Sequence, residues 1–388
     1  MNCILFDGER RVHFLPLTYT RPIAHLRIGM STIREKWECL LGNTCTILTE
    51  DYLEDLFPMV EFEQNIFIEA TYLPNQTIVN QIKSLSENEM LVCKNKVVAF
   101  FVSASQEEVD FESYTAISCK EEPIQLLGLH DLLQQQRLVL QTDFSSLTKE
   151  RNSQLLSATN QVICPENIFM EEGAVVECCI LNASEGPIYI GKNALVMEGS
   201  MIRGSFCMGK NAVVKMGSKI YGATSIGNNT VVGGELKNSL IMDNSNKGHE
   251  GYLGDSIVGE WCNLGANTTG SNIKNNYSEV KLWSYDSRSY KNSKLVKFGQ
   301  VFGDYTRTAV NTKLNTGTIV GVGVNLFQTG FPNKFVPSFR WGDNEETRIT
   351  DFIETAKNMR ALKGFDFSLQ EQAVLKTVFK LTQQHRDF

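Results

Sequence analysis

Residues 186–227 read GPIYIGKNALVMEGSMIRGSFCMGKNAVVKMGSKIYGATSIG. Gly191, Gly209 and Gly227 are each 18 apart, as are Gly186, Gly204 and Gly222, and Gly199 and Gly217. The same interval reaches back to Gly173 and recurs in Gly233 and Gly251, Gly299 and Gly317, and Gly303 and Gly321. An apolar residue precedes the glycine in Ile190-Gly191, Met208-Gly209 and Ile226-Gly227. A six-residue step shows between Val258-Gly259 and Leu264-Gly265, with Leu253-Gly254 five residues before. A six-residue unit with one inward aliphatic and a Gly or Asn at its corner makes a short strand and a turn. Three such units span the glycine interval and close a triangular coil. Stacked coils pair their backbones while aliphatic side chains fill the axis. Gly and Asn suit the corners because left-handed backbone angles cost them little, and Thr and Val suit the flat faces.

Working outward, 23 of the 29 glycines and one of the nine prolines lie in residues 173–330. Composition thus divides the 388 residues into a Gly-poor front, a Gly-rich middle and a Gly-poor tail, with length enough for two or three domains. At 42% hydrophobic and 21% charged the chain can bury a core. Its net charge of −7 disfavours bulk nucleic-acid binding, which needs Lys and Arg to neutralise phosphates. No apolar run is long enough for a membrane-spanning helix, and the opening Met1-Asn2-Cys3-Ile4-Leu5-Phe6-Asp7 lacks the basic lead of a signal peptide. A cytoplasmic protein with no membrane or nucleic-acid partner is expected. The ten cysteines include no C-x-x-C pair and are expected to be buried, reduced thiols. The five histidines do not cluster, so no His-based zinc site is expected.

The periodic stretch resembles the hexapeptide-repeat, left-handed parallel β-helix proteins over about 163–330. Gly259 falls four positions short of two full coils from Gly227, and Gly303 falls two positions past two full coils from Gly265. The register therefore slips on both sides of 240–295, and chemistry is expected where regular coils are interrupted.

Three segments lie there: Gly233-Gly234-Glu235-Leu236-Lys237-Asn238, Gly248-His249-Glu250-Gly251-Tyr252-Leu253-Gly254-Asp255, and Asn263-Leu264-Gly265-Ala266-Asn267-Thr268-Thr269-Gly270-Ser271-Asn272. They resemble the acetyltransferase domain of GlmU and of related archaeal sugar-1-phosphate nucleotidyltransferase/acetyltransferases. The resemblance implies catalytic roles for His249, Glu235, Lys237 and Asn272, sugar contacts from Tyr252 and Lys237, and acetyl-CoA contacts from Ala266 and Thr316. It also implies a homotrimer with acetyl-CoA between neighbouring β-helices. The chemistry agrees with the residues. Taking a proton from an ammonium near neutral pH suits His, and His249 is the only His of the β-helix region. Glu235 precedes it by four positions less than a full coil and is expected to orient it, and Lys237 offers a point charge to a phosphate. Tyr252 equally suits core packing, and Asn272 equally suits capping a turn.

The front, 1–160, reads as mixed α/β. Strands are predicted at Cys3–Phe6, Thr44–Leu48, Ile66–Glu69, Met90–Cys93 and Val97–Val102, and helices at Thr32–Leu41, N-capped by Ser31, and Asn75–Leu85. The opening, Leu5-Phe6-Asp7-Gly8-Glu9-Arg10-Arg11 through Leu15-Pro16-Leu17-Thr18-Tyr19-Thr20-Arg21-Pro22-Ile23, resembles the sugar nucleotidyltransferase signature. That implies a Rossmann-like nucleotidyltransferase domain with Gly8, Arg10, Arg11 and Arg21 at the nucleotide and Mg²⁺ on its phosphates. The signature is incomplete. Arg10 stands where a second Gly is usual, Ile23 where Lys is usual, and no metal-binding Asp follows Ile66-Phe67-Ile68, so the metal ligands stay unassigned. The four arginines equally suit ordinary surface charge.

After Phe331-Pro332 the repeat is expected to stop. Pro337–Gly342 reads as an extended arm, and 347–363 and 368–384 as amphipathic helices packing on the last coils. The layout is a nucleotidyltransferase-like α/β domain (1–160), a left-handed β-helix acyltransferase domain (161–342) and a helical tail (343–388). It resembles the GlmU-like family of Bacteroidetes-type bacteria. That resemblance implies acetylation of an amino-sugar 1-phosphate such as glucosamine 1-phosphate by acetyl-CoA, then nucleotidyl transfer from an NTP, UTP being expected. Two alternatives remain: an acetyltransferase with a degenerate front domain, and a non-catalytic scaffold.

Overall fold

A computed structural model of the protein describes residues 2–103, 109–343 and 345–386. The chain forms two compact units, residues 1–14, 18–26 and 31–128, and residues 15–17, 27–30 and 129–388.

The first unit carries a six-stranded sheet. Asn2–Phe6 lies parallel to Cys45–Leu48 on one side and to Gln64–Glu69 on the other. Lys96–Ser103 runs antiparallel to Gln64–Glu69 and to Glu89–Cys93, which pairs parallel with Thr115–Ser118. The near-continuous apolar runs of the central strands bury Ile4, Leu5, Ile66 and Ile68. Helix Ile33–Leu41 is capped by Thr32, not by Ser31: the Thr32 hydroxyl accepts from the Glu35 N–H and the Glu35 side chain returns to the Thr32 N–H. The Ser31 hydroxyl instead accepts from Lys36 Nζ at 3.1 Å. Trp37 of this helix is fully buried and donates its indole N–H to the Tyr72 carbonyl at 3.0 Å.

The second unit is a left-handed parallel β-helix with three faces, built on parallel ladders of nine, nine and six strands, the second extended by Glu345–Glu346, which pairs antiparallel with Arg340–Trp341. Each face contributes one inward column. They run Ile190–Met208–Ile226–Ile241–Val258–Phe302–Val320–Val336, Val176–Val196–Val214–Val232, and Leu181–Ile202–Ile220–Leu236–Leu253. All are essentially buried, and burying such a side chain contributes about 1.5–3 kcal/mol. Corner asparagines 193, 211, 229 and 244 have positive φ. Their amides form a ladder, Asn211 to Asn229 at 3.1 Å and Asn229 to Asn244 at 3.3 Å.

Several sequence expectations change. Gly173 and Gly191 keep the glycine interval but are not equivalent. The first coil is two residues longer than that interval, Val175 pairing with Leu195, so Gly173 lies over Asn193. The slip between Gly227 and Gly259 breaks no ladder. One coil is shorter than the regular repeat by three residues (Val231 on Asn246), and the next by one (Glu235 on Tyr252). The true insertion comes later, where Ile257 pairs with Val301 and the intervening chain forms the hairpin Lys281–Ser284/Ser289–Asn292. The repeat also outlasts Pro332. Phe335–Val336 continues the ladder on Ile319–Val320, and Trp341 pairs with Asn325, so the arm is a further coil. Among the described residues all ten cysteines are free. Cys39 and Cys178 are exposed, against the expectation of burial.

The residue-160 boundary falls inside the second unit. Helix Gln136–Thr148 packs there, with Leu140 against Cys207 and Ala223, and Gln136 Nε2 donating to the Ser239 carbonyl at 3.2 Å. Arg27 joins it through Asp243, at 3.1 Å. The tail helices are Ile349–Leu362 and Leu369–Leu381, the second held by a Ser368–Glu371 capping box. Phe352 meets the ring of Phe339 edge-on at 5.0 Å, and Lys363 Nζ donates to the corner carbonyls of Asn229 and Asn244, both at 2.8 Å.

Candidate functional site

One face of the β-helix carries most of the predicted acetyl-transfer residues. Glu235 stacks on Tyr252 and Lys237 on Gly254 in the coil below. The Cβ that Gly254 lacks would strike the Tyr252 ring, so this Gly is what lets the phenol lie across the face. At the far corner Asp255 is 8% exposed and accepts from Asn238 Nδ2 at 2.7 Å and from Asn272 Nδ2. Asn272 also hydrogen-bonds Tyr252, whose hydroxyl is pushed up chiefly by burial and then by the nearby Asp255 charge. Asn272 therefore does more than cap a turn, and Tyr252 is half-buried rather than part of the axial core.

Glu235 differs from expectation in its partner. Its carboxylate accepts from the Tyr221 hydroxyl at 2.7 Å, and that bond heads the causes pushing Tyr221 up to about 12. No hydrogen bond joins Glu235 to His249 among the described residues. Lys237 Nζ sits 6.0 Å from the centroid of the Tyr221 ring.

His249 is exposed, on the corner turn between Asn246–Lys247 and Tyr252–Gly254. That turn lies directly against Gly233 and Gly234. At Gly234, with φ +74°, an added Cβ would come within 2.9 Å of the His249 carbonyl and 3.0 Å of Glu250 Cα. The glycine pair thus lets two successive corners approach. Ala266 occupies the next turn of the same corner, and Gly251 packs on the Thr268 carbonyl. Thr316 lies beyond Lys313–Leu314, toward the Asn272 end of the face, and is 5% exposed. Asp255, which holds both amides, was not singled out from sequence. Its signal in the sequence was its place just after Leu253-Gly254, at a corner where it takes a positive φ of 48° as the corner asparagines do.

In the first unit Gly8 follows Asn2–Phe6 and faces Glu69, at the end of the neighbouring parallel strand. A Cβ at Gly8 would lie 3.1 Å from Glu69 Oε1. Ligands of parallel sheets gather at such strand ends. Burial pushes the Glu69 carboxyl up, opposed by the Thr71 hydroxyl and then the Arg10 charge. The other arginines are placed differently. Arg11 is committed internally, to Asp7 at 3.1 Å, Tyr52 at 3.0 Å and the Thr18 carbonyl. Arg21 is 6% exposed beside His25, whose imidazole burial, then the Arg34 and Arg21 charges, push down to about 3. Among the described residues no group of three His, Cys, Asp or Glu could hold a metal, and no helix is long and apolar enough to cross a membrane.

Residues 3–152 match the family model described as sugar nucleotidyl transferase. The front of the chain has that family's sequence pattern. The bifunctional protein GlmU of Methanococcus vannielii is 38% identical over 87 residues, 22% of this chain and 20% of that protein. Over that stretch the chain is similar to GlmU. A bifunctional sugar-1-phosphate nucleotidylyltransferase/acetyltransferase of Sulfurisphaera tokodaii is 30% identical over 102 residues, 26% of this chain and 25% of its own length. The matched stretch thus spans about a fifth to a quarter of these relatives. An Arabidopsis UDP-N-acetylglucosamine acyltransferase structure aligns with 59% of this chain and 91% of its own, at 12% identity and a TM-score of 0.23.

Proposed function

We propose that the protein is a cytoplasmic, homotrimeric transferase of amino-sugar nucleotide synthesis. Its β-helix acetylates an amino-sugar 1-phosphate from acetyl-CoA. Its front domain then joins the product to a nucleotide from an NTP, with UTP as the expected donor. The observation that carries this reading is the exposed His249 on a glycine-seated turn beside a face bearing Glu235, Lys237, Tyr252, Asp255 and Asn272.

In this reading the His249 imidazole takes the proton from the substrate ammonium as its amine attacks the thioester, and CoA thiol leaves. Lys237 faces the sugar phosphate, and the Asn272 amide, fixed by Asp255, meets the sugar or the developing oxyanion. Ala266 and Thr316 mark the acetyl-CoA side, and Glu235 acts on the site together with Tyr221. Release of CoA thiol from acetyl-CoA and glucosamine 1-phosphate tests the reading, and thiol release no faster than without protein would end it. Lys237→Met is expected to raise the KM for the sugar phosphate about tenfold or more while leaving that for acetyl-CoA unchanged. Steady-state kinetics with each substrate varied in turn check this.

For the front domain, Glu69 beside Gly8 suits Mg²⁺, which usually takes one or two carboxylates plus substrate phosphates. The ion would offset phosphate charge during nucleotidyl transfer. Arg10→Ala is expected to lower pyrophosphate release from UTP and GlcNAc 1-phosphate roughly tenfold or more and to leave acetyl transfer intact. The second reading, an acetyltransferase with a degenerate front domain, is favoured by the internal commitment of Arg11 and the burial of Arg21. Absence of pyrophosphate release by the unaltered protein would select it.

A further inference from the structure

The inward column Val176–Val196–Val214–Val232 is continued in the next coil by Lys247, which pairs with Val232. Leu264 fills the inward position of the coil after that. Lys247 is 2% exposed. A lysine in an aliphatic column is costly, because the ammonium loses its water. Burial lowers this amine to about 8, opposed by the charge of Glu250 on the same turn. Its nitrogen donates to two carbonyls, Gly233 at 2.9 Å and His249 at 2.8 Å. These belong to successive corners of the β-helix. The backbone ladder runs through this corner as well, Gly233 N reaching the Lys247 carbonyl at 2.7 Å, and lengthens just after it, Glu235 N reaching the Gly251 carbonyl at 3.3 Å.

We propose that Lys247 is a positioning residue, whose buried ammonium clamps the Gly233 corner to the His249 turn and so sets where the His249 imidazole stands. A valine at this site would fill the column but leave both carbonyls without that donor. The ammonium also links the glycine pair that seats the turn to the residue the turn presents. The catalytic consequence rests on His249 being the base; the clamp itself does not.

Lys247→Met keeps an unbranched apolar chain and removes the donor. The variant is expected to fold. Amide hydrogen exchange across 248–252 should speed up about tenfold or more while 213–232 stays protected. The kcat for acetyl transfer should fall about 10–100-fold, with the KM for acetyl-CoA within about twofold, since a small misplacement of a reacting group acts on the chemical step. Unchanged exchange across 248–252, or wild-type kcat in folded Lys247→Met, would overturn the proposal. If the unaltered protein transfers no acetyl group, the reading of His249 fails and the exchange measurement alone decides the clamp. Should Lys247→Met not fold, Lys247→Val, the residue that fills this position in the preceding coils and carries no donor, carries the same two readouts and the same two overturning results.

Discussion

His249→Ala is expected to leave the β-helix folded and to lower acetyl transfer by roughly 10²-fold or more, the usual contribution of a positioned acid–base group. The fold should tolerate the change because the ring is exposed and makes no hydrogen bond to the described residues. The turn is held through the backbone, by the Lys247 amine on the His249 carbonyl and by close approach to Gly234, and neither needs the imidazole. The loss should therefore appear in kcat, with the KM for the sugar phosphate little changed. Steady-state kinetics beside a thermal melt measure both, and wild-type turnover in the folded variant would remove His249 as the base.

Phe302→Ala is expected to destabilise the β-helix by about 3–5 kcal/mol, the cost of deleting a buried aromatic and leaving a cavity. Phe302 is fully buried, between Val258 and Val320 in its column. It is also the first axial residue after the long insertion, so its ring bridges coils that lie far apart along the chain. In a stack whose coils touch only their neighbours, loss at one interface weakens docking of everything beyond it. Denaturant melts should show the lower stability. Hydrogen exchange should rise first in the coils after 302, with those before 258 less affected; uniform exchange along the stack would contradict this account.

Much of the architecture was legible because its cause is local and periodic. Corner residues must reach positive φ, inward residues must be apolar, and both recur with the coil. Helix 369–381 was likewise readable, from Leu369, Ala373 and Leu381 at helical spacing. The misreadings have physical sources. The interval from Gly173 to Gly191 matched a period that the first coil does not have. Helix Gln136–Thr148 carries its apolar residues toward the β-helix, and nothing local says which core it joins.

The acetyl-transfer residues came from motif resemblance, and their partners did not. Tyr221 for Glu235 and Asp255 for Asn272 both lie in neighbouring coils. Which coil residue faces which depends on a register that leaves the regular repeat for one coil three residues shorter and another one residue shorter. Arg11 was implied as a nucleotide ligand by the resemblance of the opening segment, and only the structure places Asp7, Tyr52 and Thr18 around it. The sequence by itself determined the β-helix and its corners, since these follow from backbone angles and an aliphatic period, and its motifs pointed to His249. Only the tertiary structure decided that a lysine completes an aliphatic column beneath His249, because stacking distance, not spacing along the chain, brings its amine to those two carbonyls.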